Sequence, residues 1–201
     1  MSKQLKTKKI KIFRDSIFGI TDKAILKLAY TAGIADISDN SYEEIRGILK
    51  AKMENVLGKS IKYLEYYRKK TLDEYMIASS ISPKMWSIDP KGKSCKSPKT
   101  PKKTSKKPRF NILNQIKFYQ KRNDCLLLPI IPFTRYTREV AQDFKLDMRF
   151  TKNSMIILQY SIENFIIDIL QKALKNAFHA GRTTVNSGDI KIAYKYSEKD
   201  F

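Results

Sequence analysis

The sequence predicts an all-α protein in which two units, each a short, a long and a short helix, pair within one chain. Apolar residues recur at helical spacing on both sides of a central stretch that is rich in Lys, Pro and Ser. In each periodic segment, the middle helix is too long for its two short neighbours to cover. We therefore expect each unit to bury its long helix against the other unit.

The first unit is predicted to contain a short helix over residues 21–33, a long helix over residues 41–67 and a brief helix over residues 73–81. Ser41 and Glu44 have the spacing of a capping box, which would start the long helix. Apolar residues then recur every three or four positions. A helix of about 27 residues is some 40 Å long, which exceeds what a domain of this size needs.

The second unit repeats this plan after a leading helix over residues 111–122. A short helix is predicted to begin near Pro132, since proline is favoured in a first helical turn. The long helix is expected over residues 152–180 and ends at Gly181, and a short helix follows over residues 187–196. The repeated order indicates an internal duplication, although the two units share almost no residue identity.

Charge is concentrated outside the two units. The chain has 40 basic and 20 acidic residues, for a net charge of +20, which indicates a polyanionic partner. Residues 1–12 hold five lysines and no acid, and residues 82–109 hold ten basic residues and one acid. Residues 13–81 are nearly balanced, with eleven basic and ten acidic residues. Nucleic acid is the first expected partner, and an anionic membrane surface is the second.

Crossing the two long helices head to tail would bury both apolar stripes in one core. Residues 82–109 can act as the tether, because a segment rich in Lys, Pro and Ser cannot bury enough apolar area to fold alone. Its 28 residues reach at most about 90 to 100 Å, which is enough to pass around a paired unit. A tether of this length also raises the effective concentration of the pairing to roughly millimolar.

Several classes of protein are not supported by the sequence. It has no Gly-rich phosphate loop, no interpretable Ser/His/Asp arrangement and no paired carboxylates, so we expect neither an enzyme nor a cofactor. No apolar run reaches about 18 residues and no secretory signal is visible, which predicts a soluble, intracellular protein. Cys95 and Cys125 lack CxxC or His spacing and are predicted to be reduced thiols.

Two groups of motifs resemble core histones. RDSIFGITDKAILKLA, YEEIRGILK, MENV and RKKT, between residues 14 and 81, resemble core histone four. YQK, PFTRYTREVAQDFKLDMRF and HAGRTTVNSGDI, between residues 112 and 193, resemble core histone three. Two such histones in one chain resemble the histone doublets of large (giant) DNA viruses.

The resemblance implies two histone folds that form an intramolecular handshake heterodimer. Residues 1–13 would be a basic N-terminal tail, and residues 14–81 a histone-four-like fold. Residues 82–109 would be a basic linker, and residues 110–201 a histone-three-like fold with its leading helix.

The resemblance also implies where DNA binds. Arg149, in the short gap before the second long helix, is similar to the arginine that enters the DNA minor groove in this family. A guanidinium there can gain from the negative potential of a narrow groove without reading sequence. An ordinary solvated side chain is the alternative for each basic residue. The expected DNA-binding residues are Arg149, Arg135, Arg138, Lys69, Lys70, Thr71, Arg182, Thr184, Lys117 and Lys121.

One departure from the family pattern concerns the first unit. Asp36 stands where core histone four has its own arginine that enters the minor groove. On the neighbouring helix, basic residues of that histone are replaced by Leu26, Tyr30 and Thr31. The loop that contains Asp36 is therefore expected to bind DNA weakly.

A contact between two copies of the chain is implied at the end of the second long helix. His179, the only histidine, lies where two copies of histone three form a four-helix bundle in this family, beside Phe178. Arg182 and Asp189 match the charged pair of that contact. We predict no metal site, because Asn176 stands one turn before His179 where a Cys would be needed.

The resemblance predicts a structural DNA-packaging protein that wraps double-stranded DNA without sequence preference. Its implied partners are a second chain of its own kind and a second histone doublet that carries the two remaining core histone types. We expect no membrane and no small-molecule substrate. The implied residence is a virion, a viral factory or the host nucleus. The alternatives are a histone-fold scaffold subunit of a transcription complex, and loose condensation of DNA driven by charge.

Overall fold

The order of helices in the first unit follows the predicted order. The computed structural model describes residues 16–81, 112–121 and 125–199. The basic tail at residues 1–13 and the linker at residues 82–109 lie outside the described residues. The first unit contains a 3-10 helix Ser16–Gly19, then α1 Asp22–Ala32, β1 Asp36–Ile37, α2 Asp39–Tyr66, β2 Thr71–Leu72 and α3 Glu74–Ser80.

The second unit has a leading helix and then the same order. Both long helices, α2 and α6, contain 28 residues. The elements of the second unit are α4 Ile112–Gln120, α5 Ile130–Phe144, β3 Arg149–Phe150, α6 Lys152–His179, β4 Thr184–Val185 and α7 Ser187–Lys199.

The two units are joined by two pairs of very short parallel strands. β1 pairs with β4, so that Asp36 lies opposite Thr184, and β2 pairs with β3, so that Thr71 lies opposite Arg149. Each pair takes one strand from each unit. The loop before the long helix of one unit therefore meets the loop after the long helix of the other, which is the head-to-tail handshake that the sequence predicts.

Both units contribute to one hydrophobic core. α2 packs against α5, α6 and α7 of the second unit, and α6 packs against α1, α2 and α3 of the first. Leu72 in β2 and Val185 in β4 are fully buried, so each strand pair is also anchored by an apolar side chain. Burial of such a side chain contributes about 1.5 to 3 kcal/mol. The predicted all-α fold with paired short-long-short units is confirmed.

The start of α2 differs from the prediction. The helix begins at Asp39, so Ser41 lies inside it and the predicted capping box is wrong. The Ser41 hydroxyl instead lies 2.8 Å from the Ser38 hydroxyl, and Glu44 forms a 2.9 Å ion pair with Lys191. The Ser38 N–H donates to the Val185 carbonyl at 3.1 Å. Pairing with the second unit thus positions the residue before the helix, which local spacing alone does not reveal.

The leading helix α4 lies against the first unit. Its main packing partner is α1, and the rings of Tyr119 and Tyr30 stack with centroids 6.2 Å apart. Both tyrosines are buried. A side chain added at Gly33, which ends α1 with a φ of +94°, would bring its Cβ to 3.3 Å from the Gln120 side chain. The second unit therefore contacts the first through α4 as well as through the paired long helices.

A buried carboxylate on α6 holds the connection between α4 and α5. The two oxygens of Glu163 accept the backbone N–H groups of Leu127 and Leu128, each at 2.9 Å. The Gln159 side chain also donates to Glu163 at 2.8 Å. Burial raises the pKa of Glu163 from 4.5 to about 7, while these hydrogen bonds and the charge of Lys27 lower it by less.

One cysteine differs from the prediction. Cys125 is disulfide-bonded, so the expected reduced thiol is wrong at this position. It lies within the same connection between α4 and α5, directly before Leu126. The absence of CxxC spacing excludes only a bond between neighbouring cysteines, and it does not test one between residues distant in sequence. Cys95 lies outside the described residues.

The pKa of Glu163 predicts that the protein becomes less stable as the pH rises through neutrality. Because the folded pKa lies above the ordinary value, the group's contribution is fully present below pH 4.5 and is lost as the pH rises through about 7. The loss is at most on the order of 3 kcal/mol by pH 8. Urea unfolding at several pH values should show a steeper fall for the unmodified chain than for E163Q.

The exposed Glu43 provides the control. E43Q removes an equal charge from α2 without touching the buried site, and it should keep the steep fall. Parallel stability curves for E163Q and the unmodified chain between pH 5 and pH 8 would contradict the assignment to Glu163.

Candidate nucleic-acid interface

One strand pair brings four of the predicted DNA-binding residues together. We call β2, β3 and the adjoining residues 68–73 and 145–152 the basic loop pair. The Arg149 N–H donates to the Lys70 carbonyl at 3.0 Å, and Thr71 lies opposite Arg149 in register. Lys69 directly precedes Lys70. Residues that are about 80 positions apart in the sequence thus form one surface.

The basic loop pair presents its cations to solvent. Lys69, Lys70 and Arg149 are exposed, and Phe150 beside Arg149 is packed against the core. Lys69 lies 2.9 Å from the Asp73 carboxylate, so part of its charge is neutralised. The strand pair fixes the backbone from which the Arg149 guanidinium extends. Such a guanidinium can enter a narrow minor groove and bind through electrostatic potential alone.

The structure adds residues that the sequence reasoning missed. Arg68, two residues after the end of α2, has a φ of +51°, a left-handed conformation that is uncommon for a residue with a side chain. This turn directs the chain from α2 into β2 and leaves Arg68 exposed beside Lys69. Lys145 and Lys152 flank β3 on the other chain segment. The signal for Arg68 was present in the RKKT run, whereas its backbone conformation leaves no sequence pattern.

The opposite strand pair is acidic. We call β1, β4 and the start of α2 through Tyr42 the acidic loop pair. Asp36 is exposed opposite Thr184, and Asp39 lies in the first turn of α2. Burial raises the pKa of Tyr42, and the negative charges of Asp22, Asp39 and Asp36 raise it further. The local potential is therefore unfavourable for a phosphate backbone.

Arg182 is held within the chain. Its two terminal nitrogens donate to the two Asp189 oxygens at 3.0 and 3.1 Å, and one also donates to the Thr184 carbonyl at 3.3 Å. Asp189 is 6% exposed. Burial raises the pKa of Asp189, but hydrogen bonds from Arg182 and the Asn186 N–H more than offset this, so the pKa lies below its ordinary value. Arg182 thus fixes the turn between α6 and α7, while Thr184 is exposed.

Of the residues expected at a contact between two copies, only some face outward. Phe178 is 61% exposed and His179 is exposed, both at the end of α6. Asp189 is turned inward by Arg182. Two further apolar side chains on α7, Ile192 and Tyr196, are 49% and 63% exposed. The sequence reasoning did not name Ile192 and Tyr196, although their spacing of four residues places them on one helical face.

The remaining candidates lie on two other helices. Arg135 and Arg138 are exposed on α5, whose first turn contains no acidic residue. The 3-10 helix of the first unit packs beside α5, and the Ser16 hydroxyl donates to Glu139. Lys117 and Lys121 are exposed on α4 and directly after it. Because α4 packs mainly on α1, the structure does not bring these two lysines to the basic loop pair.

Comparison with known proteins agrees with this geometry. Residues 108–196 match the family model for the core histone domain, which is shared by core histones two A, two B, three and four. The C-terminal half of the chain therefore contains a histone-fold domain. The chain is also similar to the crystal structure of the histone from Methanopyrus kandleri, with a TM-score of 0.57 and 15% sequence identity. That likeness covers 89% of this chain and 95% of the other, so it extends from the histone-fold domain into the N-terminal half.

A histone-fold domain belongs to a structural, non-enzymatic family whose members bind DNA and package chromatin. No group of three or more His, Cys, Asp or Glu side chains with the geometry of a metal site occurs within residues 16–81, 112–121 and 125–199. No helix in the described part of the chain has both the length and the apolar character of a membrane span.

The basic loop pair predicts a specific loss in R149A. If Arg149 contacts the DNA backbone, its removal should make the fall of log affinity with log salt concentration less steep by about one. Binding should weaken equally for DNA of unrelated sequences. The substitution D36R should have the opposite effect and make the fall of log affinity with log salt concentration steeper, because it replaces an anion with a cation at the acidic loop pair. Fluorescence anisotropy with duplexes of different sequence measures both.

Lys62 supplies the matched control, since it is exposed on α2 and belongs to neither loop pair. K62A removes the same charge as R149A. If K62A and R149A reduce affinity and salt slope equally, DNA responds only to net charge, and the role of the basic loop pair is wrong.

Proposed function

We propose that this chain is a histone doublet that packages double-stranded DNA without reading its sequence. In this proposal, residues 14–81 are a histone-four-like fold and residues 110–201 are a histone-three-like fold with a leading helix. The observation that carries the proposal is the pairing of β2 with β3, which places Arg149 beside Lys70 on an exposed surface. The match to a core histone domain supports the same function.

The charge distribution supports a phosphate-binding role. The net charge is +20, and much of the excess lies in residues 1–13 and 82–109. Such segments add attraction that depends strongly on salt and carries no sequence information. Arg135 and Arg138 on α5 would extend the contact beyond the basic loop pair, and Lys117 and Lys121 would contact DNA near its entry.

The two ends of the handshake should hold DNA unequally. The basic loop pair offers Arg149 and Lys70, whereas the acidic loop pair offers Asp36, and its nearby Arg182 is bound to Asp189. DNA would therefore detach first at the acidic loop pair. A particle built from this chain should open more easily than one in which both ends carry an exposed arginine.

A second copy of the chain would bind at the end of α6. Phe178 and His179 are exposed there, and Ile192 and Tyr196 are exposed on α7, which packs on α6. Exposed large apolar side chains that form a patch often mark a protein–protein contact. Two chains would then supply four paired units. In this proposal, Arg182 and Asp189 form their ion pair within each chain, and this pair fixes the turn between α6 and α7 at the contact.

A second histone doublet, which carries the two remaining core histone types, is the further proposed partner. Tyr63, Tyr66 and Tyr67 at the end of α2 and Tyr75 on α3 are between 39% and 81% exposed. Aromatic side chains are enriched in protein interfaces, where they bury a large area at low entropic cost. The proposed setting is chromatin-like material in a nucleus, and for a protein of a large DNA virus also the viral factory or the virion.

Micrococcal nuclease digestion tests this function. Material reconstituted on long DNA from this chain and the second doublet should give fragments of one discrete length, because a wrapped duplex is protected over a fixed path. R149A should give the same length with faster trimming. Gel electrophoresis of the digestion series measures both.

Two other outcomes would contradict the proposal. A scaffold subunit of a transcription complex would leave the DNA unprotected. Loose condensation driven by charge would protect fragments of no defined length, as a polylysine control of similar charge does.

A further inference from the structure

A cleft between the two units lies on a part of the molecule that the proposed function does not use. It has a volume of about 540 Å³ and is lined by residues of α2 and α3 from the first unit and of α6 and α7 from the second, together with Ile81. None of the described residues that line it belongs to a loop pair or to the surfaces proposed for a second copy and a second doublet. Pockets of this volume can enclose a group larger than one side chain.

Part of the cleft wall is apolar. Val56 of α2, Phe165 of α6 and Ile81 line it and belong to the hydrophobic core, with exposures between 2% and 7%. Ala51 of α2 and Tyr194 of α7 also line it and are half-buried. The cleft is therefore continuous with the hydrophobic core, and an occupant with apolar side chains would extend that core.

The serine hydroxyls in the cleft are already used within their own helices. Ser79 and Ser80 donate to backbone carbonyls about one turn earlier in α3, at 2.8 and 2.7 Å. Ser197 donates to the Tyr194 carbonyl in α7 at 2.9 Å. None of these three hydroxyls requires a polar ligand. An occupant can therefore be held by packing, without a hydrogen bond from these serines.

The described part of the first unit ends at this cleft. Ile81 directly follows α3 in an extended conformation, with a φ of −88° and a ψ of 146°, and it lines the cleft. Pro83 disfavours a helical conformation for Ser82, so the sequence predicts that the chain continues in an extended form. The linker therefore begins beside the cleft.

The linker has two parts of different composition. Residues 82–90 contain one lysine and one aspartate, whereas residues 91–109 contain nine basic residues and no acid. The large apolar side chains of the linker, Met85, Trp86 and Ile88, all lie in the first part. A tryptophan can bury roughly 150 to 250 Å² of surface. The second part thus has the charge that attracts DNA, whereas the first part has apolar area that gains free energy when a protein surface covers it.

We propose that residues 82–90 dock in the cleft between α2, α3, α6 and α7, with Trp86 as the apolar anchor. Trp86 lies five residues after Ile81, and an extended chain of that length reaches at most about 16 to 18 Å. Attachment beside the cleft gives the segment an effective concentration of roughly millimolar, which a separate chain lacks. Because each unit supplies two of the helices, the docked segment contacts both units and stabilises the handshake. Residues 91–109 alone then act as the tether.

Fluorescence of the full chain tests this proposal, because Trp86 is the only tryptophan in the sequence. A docked indole ring is shielded from solvent, so it should emit at a shorter wavelength than the same residue in a free peptide of residues 82–94. Acrylamide should quench it several-fold less than it quenches the peptide. Equal quenching of the chain and the peptide would overturn the proposal.

A variant that fills the cleft shows whether the shielding arises there. A51R places a long side chain in the cleft and should raise the quenching of Trp86 several-fold, toward that of the peptide. The matched control is G47R, one turn earlier on α2, where an added Cβ meets open space and the residue does not line the cleft. G47R should leave the quenching unchanged. Equal quenching of Trp86 in the two variants would overturn the proposal, and the comparison with the peptide stands even if A51R fails to fold.

Two further measurements separate other occupants of the cleft. Docking within one chain makes the shielding of Trp86 independent of protein concentration, so a loss of shielding on dilution would indicate the linker of a second copy and overturn the proposal. Binding of the second doublet that A51R abolishes, with Trp86 equally quenched in A51R and the unmodified chain, would assign the cleft to that partner and also overturn it. The fluorescence measurements need no DNA, so their failure leaves the proposed packaging function untouched.

Discussion

The length of the two central helices constrains the whole molecule. α2 and α6 each contain 28 residues, and the two short helices of a single unit cannot cover an apolar stripe of that length. Each unit therefore supplies what the other lacks: α6 packs on α1 and α3, and α2 packs on α5 and α7. The result is one core with residues of both units. Because the helices cross head to tail, the loops at their ends meet in pairs, and the two parallel strand pairs follow from that arrangement.

The strand pairs convert this packing into a surface with two unlike ends. Arg149 and Lys70 meet at one end because the handshake brings β3 beside β2. At the other end, the same geometry places Asp36 opposite Thr184 and leaves Arg182 bound to Asp189. The fold is nearly symmetric, whereas its charge is not. An electrostatic DNA contact built on this frame would be directional, and in the proposed particle DNA would detach first at the acidic loop pair.

Much of this organisation could be predicted from the sequence, because a helix that buries one face has apolar residues every three or four positions. Spacing located both long helices and the leading helix. The resemblance to histones singled out Arg149, Lys69 and Lys70, which the structure brings together and whose binding of DNA stays a prediction. Two failures share another cause. The start of α2 is set by Ser38 against Val185, and Glu163 is held by the amides of a distant connection. Contacts between residues far apart in sequence leave no local pattern. The inward turn of Asp189 has a different cause, because its partner Arg182 is only seven residues away: the resemblance pairs the two residues, but it does not show that the carboxylate is buried. Spacing motifs likewise do not reveal the disulfide at Cys125.

The central claim is that neither unit can bury its long helix alone. A protease site placed within residues 82–94 cuts the chain without change to the described residues and leaves both cysteines in the second fragment, so that no disulfide within the chain can join the two fragments. The sedimentation of the two fragments can then be compared with that of the intact chain. The account predicts that the fragments sediment together as one heterodimer and unfold in a single transition, at a lower stability because the tether no longer raises their effective concentration. Two fragments that sediment as separate, independently folded monomers would contradict it.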